Sequence, residues 1–75
     1  MMAKGRIDIV ARTSRYVYVI ELKLTKNGGV KAAEQQIIEN QYAEPFKSDG
    51  REVVALAIEL EDSGKGLMDW AVVDA

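Results

Sequence analysis

Three side chains have the types and spacing for metal-assisted acid chemistry: Asp8 in GRIDIV, and Glu21 and Lys23 in YVYVIELKLTK. Two carboxylates brought together repel one another and call for a cation. Lys23 can supply one positive charge, and a divalent metal ion would supply a better one. The chain has no His and no Cys, so imidazole ligands, the usual general base and thiolate ligands are all excluded. Any metal must therefore be held by oxygen, which points to Mg2+ or Mn2+.

The elements around these residues decide whether they meet. Gly5 to Ala11 and Tyr16 to Leu24 are rich in Ile, Val and Tyr and flank the polar stretch Arg12-Thr13-Ser14-Arg15, which predicts a two-stranded hairpin. Side chains alternate along a strand, so Glu21 and Lys23 share a face with Val17 and Val19. An even-numbered turn centred between Ser14 and Arg15 pairs Thr13 with Tyr16 and carries Asp8 opposite Glu21. An odd-numbered turn puts Asp8 on the other face. The sequence favours the even turn.

Downstream, Thr25-Lys26-Asn27-Gly28-Gly29 breaks the second strand, and the segment from about Val30 to Tyr42 has helical composition. Ala33 and Ile37 share one face of that helix, Ile38 and Tyr42 a neighbouring one, and Pro45 is expected to end it near Glu44. Glu52 to Leu60 and Leu67 to Val73 read as two more strands, separated by the loop Asp62-Ser63-Gly64-Lys65-Gly66. The expected fold is α/β: a mixed four-stranded sheet in the order strand, strand, helix, strand, strand, with the third strand parallel to the second. One helix covers one face of a sheet, yet Val53, Ala55 and Ala57 on one side of the third strand and Val54, Leu56 and Ile58 on the other are all apolar. Either another chain covers the second face, with a homodimer as the expected arrangement, or the natural domain extends upstream of Met1.

Length and charge set outer bounds. A chain of 75 residues makes a single domain near the lower size for a self-sufficient core. There is no apolar run of membrane-spanning length, and MMAKGR lacks the hydrophobic stretch of a signal peptide, so the expected location is cytoplasmic, without membrane attachment. The formal charge of −2 is unevenly spread. Residues 1–31 carry seven bases against Asp8 and Glu21, a net of +5, and residues 32–75 carry three bases against ten acids, a net of −7. A basic hairpin around an acid pair suits a phosphate backbone, while solvated surface charge explains the same numbers.

From Gly5 onward the chain resembles the PD-(D/E)XK nuclease-like domain found at the C-terminus of bacterial proteins with an AAA-ATPase-like N-terminal region. The resemblance runs through GRIDIV, YVYVIELKL, the helix with Ala33, Gln36 and Ile37, then Tyr42-Ala43-Glu44-Pro45-Phe46, Asp49-Gly50-Arg51 and Trp70. It implies a restriction-endonuclease-like core in which Asp8, Glu21 and the backbone carbonyl of Leu22 hold Mg2+ or Mn2+. It also implies that Lys23 orients or helps deprotonate the attacking water, and that Gln36 helps position the lysine or the substrate. The implied substrate is nucleic acid, DNA by expectation, and the implied associate is an ATPase domain or partner. The superfamily core opens with a helix and a strand that do not precede GRIDIV here, so the chain is expected to correspond to the C-terminal part of such a domain.

The remaining candidates have plainer readings beside the functional ones. Arg6, Arg12, Arg15 and Lys26 are the candidate phosphate contacts, although scattered bases ordinarily solubilise. Trp70 and Tyr42 are expected in core or interface packing, and Tyr16 and Tyr18, opposite Glu21, in the core. Gly28-Gly29 lacks the Gly-Lys-Ser/Thr of a phosphate loop. Two functions follow: a magnesium-dependent phosphodiesterase carried by Asp8, Glu21 and Lys23, or a non-catalytic nuclease-like module for binding or dimerisation.

Overall fold

Thr13 sets the hairpin on which the site depends. In the computed structural model, which describes residues 8–74, its hydroxyl accepts the Tyr16 N–H at 2.9 Å and the Arg15 N–H at 3.3 Å. Its own N–H donates to the Tyr16 carbonyl at 2.9 Å. A side-chain oxygen thus replaces the usual backbone acceptor and closes a loop made of Ser14 and Arg15 alone. The turn is even-numbered, as expected. β1 (Ile9–Arg12) runs antiparallel to β2 (Tyr16–Leu24), with Ile9 opposite Ile20 and Arg12 opposite Val17. The Gly5–Ile7 part of the expected first strand lies outside the described residues.

β3 (Glu52–Leu60) pairs parallel to β2, and β4 (Leu67–Val73) antiparallel to β3, giving a mixed sheet of four strands in the order β1-β2-β3-β4. Between β2 and β3 runs α1 (Gly29–Glu39), which packs on the sheet face carrying Val17, Val19, Ala55, Ala57 and Val73. Ala33 and Ile37 of α1 enter this core fully buried, and the small Ala55 and Ala57 leave room for the helix to approach the two central strands. Ile38, one position along, is exposed, so the apolar stripe is narrower than its sequence pattern implied.

The helix stops earlier than the sequence suggested. Pro45 does not end it; it lies in a separate 3₁₀ turn, Glu44–Phe46. α1 ends at Glu39 because Gln41 takes a left-handed conformation (φ 54°), the Gln41 N–H bonds the Ile38 carbonyl at 3.2 Å and the Tyr42 N–H bonds the Ile37 carbonyl at 3.1 Å. This is a Schellman termination, and the buried Tyr42 folding back on Ile37 supplies its hydrophobic contact. Glycine usually marks such a stop, and here the position holds Gln. The signal was therefore absent from the sequence.

The other face of the sheet, formed by Ile9, Tyr16, Tyr18, Ile20, Leu22, Val54, Leu56, Ile58, Trp70 and Val72, has no second layer among the described residues. Tyr16 and Tyr18 are only half-buried, with ring centroids 5.8 Å apart, and Trp70 is 58% exposed. The expectation that Tyr16 and Tyr18 enter the core is corrected, because α1 lies on the opposite face; Trp70, expected in core or interface packing, is outside the core. Tyr42 does lie in the core.

Gly at position 41 would adopt the left-handed conformation without strain. Gln41→Gly is therefore expected to raise stability to urea by about 0.5–1 kcal/mol, whereas a loss of stability would contradict this account of the helix stop.

Candidate active site

One step beyond Ile9 and Ile20 the same register brings Asp8 to Glu21. There the side chain of Asp8 takes over from the backbone ladder: its Oδ2 accepts the Leu22 N–H at 2.9 Å. Within an extended strand the N–H and C=O of one residue point to the same edge, so the Leu22 carbonyl lies on the side of β2 that Asp8 occupies. Two residues on, Lys23 projects to the same face as Glu21, and its Nζ lies 3.9 Å from Glu21 Oε2. That distance is an ion pair rather than a hydrogen bond. Asp8, Glu21, Leu22 and Lys23 are therefore brought together at one end of the hairpin.

The burial of these groups is unequal, and the difference sets the electrostatics. Glu21 is 2% exposed, while Asp8 is open to solvent and Lys23 is partly so. Glu21 follows Val19 on the core face of β2 and stands opposite Ala57 of β3, and among the described residues its buried Oε1 has no hydrogen-bond partner. Burial pushes the Glu21 carboxyl up from an ordinary 4.5 to about 7; the Asp8 charge adds to the rise, and Lys23 opposes it without cancelling it. An orphaned buried carboxylate oxygen calls for an explanation, and an absent cation is one such explanation.

The donor set fits a hard divalent ion. Two carboxylates and a carbonyl are oxygen ligands, and Mg2+ is commonly held by one or two carboxylates together with water and substrate phosphate. The described residues contain no group of three or more His, Cys, Asp or Glu arranged for a metal. An ion here would thus depend on water and phosphate to complete its shell.

The other candidates are dispersed. Gln36 is part-buried on α1 and donates to the Tyr42 hydroxyl at 2.9 Å; among the described residues it makes no hydrogen bond to Asp8, Glu21 or Lys23. Its clearest role is to satisfy the one polar atom of a buried tyrosine, which Asn40 also approaches at 3.4 Å. Arg12 lies with its guanidinium 5.5 Å from the centroid of the Phe46 ring. Arg15 occupies the hairpin turn, and Lys26 sits in the 3₁₀ turn Thr25–Asn27 at the other end of β2. Nine residues of strand separate those ends by roughly 30 Å, so Arg12 and Arg15 do not join Lys26 in one patch. Arg6 lies outside the described residues.

Sequence reasoning missed Glu59. Its carboxylate accepts the Thr25 hydroxyl at 2.6 Å and the Val30 N–H at 3.0 Å, and those bonds hold its pKa below the ordinary value, the Thr25 bond most strongly. The only signal was its distant parallel register with Lys23, which no local pattern reveals.

The sequence model of the PD-(D/E)XK nuclease superfamily matches residues 1–70. No curated protein and no solved structure matches the chain. No helix among the described residues is long and apolar enough to cross a membrane.

The raised Glu21 pKa sets a direction for stability against pH. A neutral Glu21 suits its buried position and an ionised one does not, so this contribution is fully present below about 4.5 and is lost as pH rises through about 7. In EDTA, Glu21→Gln is expected to match wild type near pH 4.5 and to exceed it by on the order of 3 kcal/mol above pH 8. Urea titrations across this range provide the check, and equal stabilities at high pH would contradict the assignment.

Proposed function

The chain belongs to the PD-(D/E)XK nuclease superfamily, and from that premise we propose that it is a divalent-metal-dependent phosphodiesterase acting on DNA, with Asp8, Glu21 and Lys23 as its working residues. The observation that carries the proposal is the buried, unpartnered Glu21 oxygen beside Asp8 at the end of the hairpin. Among the described residues no donor reaches that oxygen.

Asp8, Glu21 and the Leu22 carbonyl would hold the ion, Mg2+ or Mn2+. When bound, such an ion draws in the scissile phosphate, offsets its charge and lowers the pKa of a coordinated water. The chain itself does the rest. The Leu22 N–H fixes one Asp8 oxygen, leaving the other free to act as a ligand. The walls around Glu21 exclude water and so raise the strength of its attraction to any cation. Lys23, partly exposed and drawn toward Glu21, places its positive charge where a phosphate approaching the carboxylates would meet it. Hydrolysis joins the water oxygen to phosphorus and breaks the bond from phosphorus to the leaving deoxyribose oxygen, and the proton lost by the water is made good at that oxygen from solvent. A Lys23 ammonium beside the phosphate stabilises the charge that builds there.

Asp8→Asn and Lys23→Met separate the roles. Both should reduce Mg2+-dependent cleavage of plasmid DNA by at least about a hundredfold. Asp8→Asn should also weaken metal binding, and Lys23→Met should leave metal binding intact or strengthen it. Cleavage that survives both substitutions would contradict the assignment.

The proposal extends to assembly. Among the described strand residues the outer sheet face carries one charged side chain, Glu52, at its corner, so the strands of two copies can meet there with little like-charge repulsion. Strands of up to nine residues at about 4.8 Å spacing present roughly 500 Å² per copy, enough for a small specific interface. Sedimentation should show a dimer that Trp70→Lys converts to a monomer; a monomeric wild type at about 100 μM, well above the Kd range of specific interfaces, would contradict it.

A further inference from the structure

We infer that Thr25 and the N-terminus of α1 form a lock that holds Glu59 away from Lys23, and that this lock reserves Lys23 for Glu21 and the substrate. The catalytic consequence rests on the nuclease reading; the geometry does not.

In the parallel register, Glu59 of β3 is the direct neighbour of Lys23 of β2, on the same face of the sheet. An acid and a base so placed on adjacent strands ordinarily pair. Here the ion pair of Lys23 is with Glu21. Both Glu59 oxygens are already engaged, Oε2 by the Thr25 hydroxyl at 2.6 Å and Oε1 by the Val30 N–H at 3.0 Å. The first is a short charge-assisted bond, and the second comes from the first turn of a helix, where unpaired N–H groups favour an anion.

The sequence supplies the space for this arrangement. Gly29 has φ 64°, and a Cβ there would collide with the Glu59 carboxylate. The Gly28-Gly29 pair is therefore the cradle of an internal carboxylate. On its other side Glu59 faces Asp69 of β4, which offers no cation. If the lock opens, Lys23 is the base beside Glu59 in the strand register. A lysine drawn toward β3 leaves the Asp8–Glu21 end, and the phosphate there loses its positive partner. Glu59 is thus a restrained competitor and Thr25 a positioning residue.

Thr25→Val removes the hydroxyl and keeps the side-chain shape, and Glu59→Gln removes the competing charge. The first readout is the Lys23 side-chain ammonium resonance. In wild type it should shift on Glu21→Gln and stay in place on Glu59→Gln, and in Thr25→Val it should become sensitive to Glu59→Gln. The second readout is cleavage of plasmid DNA at saturating Mg2+. Thr25→Val should lower the rate by about ten- to a hundredfold, and the double variant Thr25→Val/Glu59→Gln should restore most of it. A merely structural Thr25 would not be rescued by a second substitution. A Lys23 resonance that answers to Glu59→Gln in wild type, or a double variant no faster than Thr25→Val, overturns the inference. A wild type that cleaves nothing removes the nuclease reading, and the resonance pattern alone then decides the lock.

Discussion

Glu21 lies buried beside Asp8, with one carboxylate oxygen lacking any donor among the described residues. Little water reaches it to screen the repulsion, and the Lys23 ammonium is 3.9 Å away and partly solvated. The rest of the fold keeps this arrangement in place. Val17 and Val19, which precede Glu21 on the same face of β2, anchor the strand in the core so that the acid cannot swing out. On the β1 side, the Leu22 N–H fixes Asp8 and prevents it from rotating away. The fold thus holds two carboxyl groups together, at the expense of its own stability once Glu21 ionises above about pH 7, a common sign that a site serves something other than folding.

α1 serves the site indirectly. Ala33 and Ile37 pack with Val17 and Val19 in one core cluster, on the sheet face that carries the buried Glu21. Tyr42, returned to the core by the left-handed Gln41, fills the space beyond the helix end, and Gln36 satisfies its hydroxyl. At the other end, Gly28 and Gly29 bring the start of α1 down onto Glu59. A polar contact thus ties the start of α1 to the sheet and another ties its end to the returning chain, and a hydrophobic pattern records neither.

Much of this was legible from the residues. The hairpin, its even turn, the meeting of Asp8 with Glu21, and the bounds of β2, β3 and β4 follow from alternation and turn composition, which act locally. Three features were not. The helix stop depends on a Gln in a left-handed conformation, where sequence rules look for Gly. The exposure of Trp70, Tyr16 and Tyr18 depends on which face the helix chooses, a tertiary outcome. The restraint on Glu59 depends on a contact 34 residues apart. Gln36 resembled a site residue by its place in the helix, and the structure gives it Tyr42 as a partner.

The central claim, that Asp8 and Glu21 are held together to receive a divalent cation, is tested most directly by titrating Mg2+ and then Mn2+ into the isotopically labelled chain while recording backbone amide spectra. Saturating Mg2+ shifts confined to Asp8, Glu21, Leu22 and Lys23, with Mn2+ broadening the same resonances, are the predicted result. An absence of localised shifts or broadening at millimolar metal would contradict it.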